Sequence, residues 1–148
     1  MIYISHRGNI NGPAPEKENN PDYIQIALDD GFHAEIDVWL VDYKFYLGHD
    51  KPIYEIHFSY LQNDKLWCHA KNVEALNSMI NMPEVQCFSH DNDSYVLTNH
   101  NYIWTFPSKN NKLMSRSIAV LPELVEDWDL DYCYGVCSDY VVNYRIKN

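Results

Sequence analysis

Two carboxylates in the segment His33-Ala34-Glu35-Ile36-Asp37-Val38 have a spacing that suits a metal ion. Side chains alternate across a β-strand, so His33, Glu35 and Asp37 are predicted to share one face of it. Residues two apart lie about 6.6 Å apart along a strand. Two carboxylates at that distance do not both stay ionised in a dry interior without a cation, and a hard divalent ion between them removes the repulsion. The alternative is an ordinary amphipathic strand whose polar face is in water.

Groups suited to acid–base chemistry and anion binding end two other apolar runs. His6 and Arg7 end the first run of the chain, and His49 and Asp50 end a later one. An imidazole titrates near neutral pH, so each histidine is a candidate general acid or base. The guanidinium of Arg7 presents a planar fork of donors that suits phosphate oxygens. One histidine at a strand end is usually only a polar cap, but two of them beside a carboxylate pair indicate a reactive site.

The elements that must position these residues are short apolar runs, which we interpret as eight strands. Their predicted bounds are Ile2–His6, His33–Val38, Lys44–His49, Leu66–Lys71, Val85–His90, Tyr102–Phe106, Ser117–Leu121 and Gly135–Asp139.

Two helices are well marked in the sequence, and a third, shorter one is predicted from Pro122. Asn20 is a favourable N-cap, Pro21 fits the first helical position, and Gly31 is predicted to end the first helix. Asn72 is predicted to cap the second helix.

The order of strand, helix and strand predicts parallel βα units, and eight strands suit a closed barrel. The predicted fold class is therefore α/β: one domain over residues 1–148, built as a compact (β/α)8 TIM-like barrel with several helices shortened or missing. A usual barrel of this kind needs about 250 residues, so most outer helices must be missing or reduced to turns. The carboxyl ends of its strands would bring His6, Arg7, His49 and the two carboxylates to one mouth.

Composition excludes some classes of partner. The net charge of −10 repels nucleic-acid backbones and anionic membranes, so no nucleic-acid partner is expected. No apolar run approaches the roughly 20 residues that span a bilayer, and the start of the chain is not typical of a secretion signal. The four cysteines lie inside apolar runs and are predicted to be buried free thiols, which favours a reducing compartment. The predicted location is cytoplasmic.

Three short motifs, in their order along the chain, resemble the HR…ExD…HD signature of the glycerophosphodiester phosphodiesterase family. They are His6-Arg7-Gly8, Glu35-Ile36-Asp37 and Gly48-His49-Asp50. Two further segments are similar to that family's E-N-T segment and to its closing G-x-x-T/S-D strand, namely Glu18-Asn19 and Gly135-Val136-Cys137-Ser138-Asp139.

The resemblance implies a phosphodiesterase-type TIM barrel that uses a calcium or magnesium ion. It implies that Glu35 and Asp37 are metal ligands and that His6 and His49 are the catalytic acid–base pair, with no indication of which is which. Arg7 would bind the substrate phosphate. The implied activity is metal-dependent hydrolysis of a small phosphodiester, with glycerophosphodiesters as the default substrate.

One departure from the family concerns the third metal ligand. The family's fourth strand offers E-x-K, whereas this chain has Cys68-His69-Ala70-Lys71. Lys71 shares a face with His69 and is predicted to bind phosphate. His69 is predicted either to ligate a softer metal, zinc or manganese, or to weaken the binding of magnesium and calcium by removing a hard anionic ligand. The second alternative leads to a catalytically inactive barrel that binds a phosphate-containing ligand.

Overall fold

The computed structural model of the chain describes residues 1–145, and its ten strands form one curled sheet. The strands are β1 (Ile2–His6), β2 (His33–Val41), β3 (Lys44–Leu47), β4 (Tyr54–Ile56), β5 (Leu66–Ala70), β6 (Cys87–Phe88), β7 (Tyr95–Leu97), β8 (Ile103–Thr105), β9 (Ser117–Val120) and β10 (Gly135–Ser138). The helices are α1 (Pro21–Asp29), α2 (Val73–Ile80) and α3 (Val142–Arg145), with short 3-10 helices at Phe58–Gln62 and Pro122–Leu124.

The centre of the sheet consists of parallel strands in the order β6, β5, β2, β1, β10, β9 and β8. The remaining strands are antiparallel: β3 pairs with β2, β4 with β3, and β7 with β8. The sheet curls until the rings of Phe88 in β6 and Trp104 in β8 lie 4.4 Å apart. Within residues 1–145 no ladder of backbone hydrogen bonds joins β6 to β8, so the sheet is a half-barrel that stays open there.

Strands β1 and β3 occupy the same edge of β2, one after the other. His6 at the end of β1 lies opposite Glu35, and Leu47 at the end of β3 lies opposite Val38. The other edge of β2 is taken by β5, whose Ala70 is also opposite Val38. The ends of β1 and β3 therefore approach each other from opposite directions at the level of the carboxylate pair.

Alternation along β2 separates two buried layers. Ala34, Ile36 and Val38 face outward into a core that contains buried side chains of α1 and α2. The inner side of the curl is filled below the carboxylates by Ile4, Trp67, Phe88, Trp104 and Ile118, which form the floor of the concave side. None of the helices within residues 1–145 has the length and apolar character needed to cross a bilayer.

Loop residues cover the outer face of β9 and β10. Ala119 and Val136 pack there against partly buried side chains that include Leu113 and Trp128, both outside regular elements. The indole Nε1 of Trp128 donates to the carbonyl of Asn111 at 2.9 Å, which ties the loop after β8 to the loop after β9.

The predicted (β/α)8 TIM-like barrel is wrong: residues 1–145 fold as a mixed, curled half-barrel sheet with ten strands and, within that range, only three short α-helices. A strand–helix–strand unit needs about 30 residues, and 148 residues do not supply eight such units. Residues 106–116 between β8 and β9 form a loop, and residues 121–134 between β9 and β10 contain only a 3-10 turn.

The strand and helix predictions fare better than the architecture. The bounds of β1, the cap at Asn20 and the cap at Asn72 are confirmed, and Gly31 follows α1 with a left-handed φ of 86°. The predicted strand at Lys44–His49 exists but is antiparallel to β2, and β4 and β7 were not predicted. The four cysteines are free and buried, as predicted.

Candidate functional site

A cleft of about 360 Å³ opens at the carboxyl ends of the parallel strands. Its polar wall contains six side chains that the sequence predicted for a site: His6, Arg7, Glu35, His49, His69 and Lys71. His90 and Asp91, which follow β6, also line the cleft. Asp37 lies directly beneath them with no exposed surface. The structure therefore brings all seven predicted residues together, although the barrel that was expected to do so is absent.

Backbone hydrogen bonds explain how His49 reaches a site built on parallel strands. The main-chain amide of Arg7 donates to the carbonyl of Glu35 at 3.0 Å, and that of Gly48 donates to the carbonyl of Asp37 at 3.1 Å. These bonds hold the residues after β1 and β3 against the same edge of β2. A side chain at Gly48 would overlap the main-chain carbonyl oxygen of Lys51. His49 therefore arrives from the antiparallel hairpin, and its expected place at the end of a parallel strand was wrong.

The carboxylate pair is buried on the inner side of β2 and not exposed to water. Glu35 is 2% exposed and Asp37 is fully buried. Burial and the neighbouring charge of Asp37 raise the pKa of Glu35. Burial also disfavours the charge on Asp37, but hydrogen bonding from His49 and His69 and the charge of Arg7 outweigh it and hold its pKa well below the usual value. The surroundings therefore favour the ionised form of Asp37 and disfavour that of Glu35.

His69 completes a group of three candidate metal ligands. Register places it directly opposite Asp37, and one ligand atom from each of Glu35, Asp37 and His69 lies within 4.8 Å of the others. Its Nε2 donates to the carbonyl of His90 at 3.0 Å. Its Nδ1 then lies 3.1 Å from Oδ1 of Asp37 and 3.8 Å from Oε1 of Glu35.

The atoms of this group fit a cation. In the neutral imidazole the Nδ1 of His69 carries a lone pair, because its proton is on Nε2. With Nδ1 of His69 unprotonated, Oε2 of Glu35 and Oδ1 of Asp37 are buried and have no hydrogen-bond donor among the described residues. Buried acceptors without donors are costly. Either a metal ion or a proton on Nδ1 must therefore balance this cluster.

His6 is oriented by a buried network. Its Nδ1 donates to Oδ1 of Asp139 at 2.7 Å, and Nδ2 of Asn9 donates to the same oxygen at 2.8 Å. Burial alone would lower the pKa of His6, but the hydrogen bond to Asp139 and the charge of Glu35 outweigh it and raise the pKa. The free Nε2 is 3.9 Å from Oε2 of Glu35. His6 therefore presents one nitrogen to the cleft beside the candidate metal site.

Cationic groups surround Asp37 on its open side. Nε of Arg7 lies 3.1 Å from Oδ2 of Asp37, and Nζ of Lys71 lies 3.8 Å from its Oδ1. The imidazole Nε2 of His49 is 3.5 Å from Nη2 of Arg7. The side chain of His49 is 43% exposed, whereas that of His6 is 13% exposed. These donors can bind the oxygens of an anion that enters the cleft, and His49 can exchange protons with water.

Asn19 and Asp139 support the site, although neither was predicted to have a role. Asn19 donates from Nδ2 to Oδ2 of Asp37 at 2.9 Å and accepts from the amide of Asp37 at 2.8 Å. Its backbone is left-handed, with φ of 63°. Both residues lie in the two segments whose motifs were noted as similar to the glycerophosphodiester phosphodiesterase family, so the sequence drew attention to their positions and not to their contacts. Their contacts join parts of the chain that no local pattern relates.

Replacing Asn19 by Ala is expected to lower the free energy of unfolding by about 2–4 kcal/mol. The change leaves the buried amide of Asp37 without an acceptor, removes one donor from its Oδ2 and forces a left-handed backbone on alanine. Urea unfolding measures this loss. Asn101→Ala is the matched control, because Asn101 has φ of 66° on an exposed turn. Equal losses in the two variants would show that the bonds to Asp37 contribute nothing.

We compared the chain with protein-family models, curated proteins and solved structures, and none of the three comparisons found a match. The function must therefore be inferred from the arrangement of the residues in this cleft.

Proposed function

We propose that the protein is a metal-dependent phosphodiester hydrolase that acts on small phosphodiesters such as glycerophosphodiesters. The observation that supports this proposal is the convergence of two oriented histidines, two cationic side chains and a three-residue metal-ligand group on one cleft. Phosphodiester hydrolysis needs these parts: charge neutralisation on the phosphoryl oxygens, a base for the nucleophile and an acid for the leaving alcohol.

Glu35, Asp37 and His69 would hold the divalent ion. A bound Mg²⁺, Ca²⁺, Mn²⁺ or Zn²⁺ supplies a positive charge next to the phosphoryl oxygens. The imidazole of His69 favours Mn²⁺ or Zn²⁺, since nitrogen ligands are less typical of Mg²⁺ and Ca²⁺. Ligation also removes the electrostatic cost of Glu35, whose pKa is raised by burial and by Asp37.

Arg7 and Lys71 bind the non-bridging oxygens of the substrate. Both side chains are mostly buried, at 19% and 18% exposure, and both are anchored to Asp37. Anchoring limits their motion, so little conformational entropy is lost when phosphate binds. They then stabilise the charge that develops on the phosphoryl group in the transition state.

His6 acts as the general base and His49 as the general acid. The bond from Nδ1 of His6 to Asp139 leaves Nε2 as the acceptor in the cleft, so it takes a proton from water or from a neighbouring hydroxyl of the substrate. Attack by that hydroxyl would give a cyclic phosphate first. His49, exposed to solvent and within reach of the cleft, gives its proton to the oxygen of the departing alcohol.

Release of p-nitrophenol from bis(p-nitrophenyl) phosphate tests the proposal. The protein is assayed in turn with Mg²⁺, Ca²⁺, Mn²⁺ and Zn²⁺, and again after a chelator is added. We expect turnover that requires at least one of these ions and stops with the chelator. Turnover that no ion stimulates and no chelator reduces would contradict the metal-dependent mechanism, and no turnover with any ion would contradict hydrolysis.

A second candidate function, a phosphate-binding protein without catalysis, is favoured by one distance. Nδ1 of His69 is 3.1 Å from Oδ1 of Asp37, so an imidazolium at His69 can neutralise the carboxylate in place of a metal ion. In that case Arg7 and Lys71 would bind an anion without turnover. Inorganic phosphate binding that is equally tight with and without a chelator, in a protein that releases no p-nitrophenol, would support this function.

A further inference from the structure

The cleft has two walls of unlike chemistry. The polar wall described above comes from the ends of β1, β2 and β5 and from His49, which follows β3. The opposite wall comes from the carboxyl ends of β8 and β9 and the turns that follow them, and its side chains are apolar: Trp104, Phe106, Pro107, Val120, Leu121 and Leu124. His90 and Asp91, which follow β6, also line the cleft, and the ring of His90 lies 5.6 Å from that of Phe106. The curl of the sheet makes the two walls face each other, and the cleft between them has a volume of about 360 Å³.

Part of the apolar wall is exposed to water. Leu124 is 69% exposed and Phe106 is 39% exposed, whereas Trp104 and Val120 at the base of the wall are buried. Exposed apolar side chains that line a cleft beside convergent polar groups are typical of a ligand site.

The backbone at the rim of this wall is strained. Leu121 adopts a left-handed conformation with φ of 45° and ψ of 54°, which is costly for a leucine. The amide of Leu121 donates to the carbonyl of Cys137 at 2.7 Å, and the carbonyl of Leu121 accepts from the amide of Leu124 at 2.9 Å. Strain of this kind is held by the surrounding structure and is concentrated at ligand sites.

We infer that the cleft selects a phosphate ester whose alcohol carries an apolar aliphatic group, with the phosphate on Arg7 and Lys71 and the chain against Leu124 and Phe106. This inference rests on the proposed function for the position of the phosphate. It adds that the aliphatic group of the alcohol packs against the apolar side chains of this wall and not against the charged residues of the other wall.

The volume of the cleft and the net charge of the protein both favour a soluble ligand with one short aliphatic chain. A cavity of about 360 Å³ is near the lower end of ligand-site volumes, so it does not hold two acyl chains. The net charge of −10 opposes approach to an anionic lipid surface.

Calorimetric titration of the full chain with hexylphosphonate and methylphosphonate tests the inference without requiring turnover. Both probes present the same anionic group, and hexylphosphonate adds five methylenes. Each fully buried methylene strengthens binding about fourfold, so partial burial of the chain predicts a preference of about tenfold or more for hexylphosphonate. The titration is made with the ion that best supports p-nitrophenol release, or with Mn²⁺ if none does.

Two leucine-to-serine variants test whether the preference for hexylphosphonate arises at the apolar wall. Leu124→Ser is expected to reduce the hexyl-to-methyl affinity ratio about threefold or more, because it removes apolar area from the rim of the cleft. Leu97→Ser is the control: Leu97 is 68% exposed on β7 but lies outside the cleft, and the ratio should not change. Both side chains are largely in water, so neither variant should unfold the protein.

Equal affinities for the two phosphonates would overturn the inference whether or not the protein hydrolyses phosphodiesters. An unchanged ratio in Leu124→Ser would also overturn it. Co-sedimentation with phosphatidylcholine vesicles, together with equal phosphonate affinities, would assign the apolar wall to a lipid surface instead. A clear hexyl preference in a protein that releases no p-nitrophenol would support the ligand class while contradicting the proposed hydrolysis.

Discussion

The Glu35→Gln variant should be more stable than the parent protein without metal and should bind a divalent cation roughly 100-fold more weakly or worse. The pKa of Glu35 is raised by burial and by the charge of Asp37, so its ionised form destabilises the folded state. Removing that charge is expected to increase the free energy of unfolding by on the order of 1 kcal/mol at neutral pH. The gain should grow as the pH rises above about 4, where an unfolded glutamate ionises, and vanish below it.

Urea unfolding at neutral and acid pH, together with calorimetric metal titration, measures both effects. Glu16→Gln removes the same charge from an exposed position and should change neither quantity appreciably. A purely structural role for Glu35 predicts lower stability and unchanged metal affinity. That result would remove Glu35 from the ligand set.

The His49→Ala variant should lose about 10²–10⁴ of the turnover rate on phosphodiesters with alkyl leaving groups. An alkoxide leaves poorly without a proton, and His49 is the assigned donor. p-Nitrophenolate leaves readily without one, so the same variant should keep most of its activity on bis(p-nitrophenyl) phosphate. Because the side chain of His49 is 43% exposed, the variant is expected to fold normally.

The corresponding His6→Ala variant separates the two histidines, since loss of the base should slow both types of substrate alike. His57→Ala serves as the control, because His57 is exposed and lies outside the cleft. If His49→Ala retained wild-type turnover on every phosphodiester that the parent hydrolyses, His49 would have no part in the reaction. The opposite pattern of leaving-group dependence would exchange the roles of His6 and His49.

Local sequence predicts much of the site because local geometry decides most of it. Alternation along β2 places Glu35 and Asp37 on one face whatever the rest of the sheet does, and that prediction is confirmed by their shared contacts with His69. The caps of the helices are equally local. The roles of the residues are not settled by their positions and stay predictions.

Long-range pairing could not be predicted in the same way. The turn between β2 and β3 has positive φ at Asp42 and Tyr43 without a glycine, so the usual sign of a tight hairpin is missing. Without it, β3 looked like another parallel strand. The contact between His6 and Asp139 joins residues 133 apart in the chain, and no local pattern encodes it. The length of the chain argued against a complete barrel, but it did not indicate which strands or helices of the barrel would be missing.

Loop residues shield the outer face of β9 and β10. A parallel sheet must be shielded from water on both faces, a task that helices usually perform. Here loop side chains take part of that role, among them Leu113 and the indole of Trp128, which is hydrogen-bonded to the carbonyl of Asn111. In most α/β proteins loops can be shortened without exposing the sheet. On this side of the molecule the loops cover the sheet, so shortening them would let water reach its outer face.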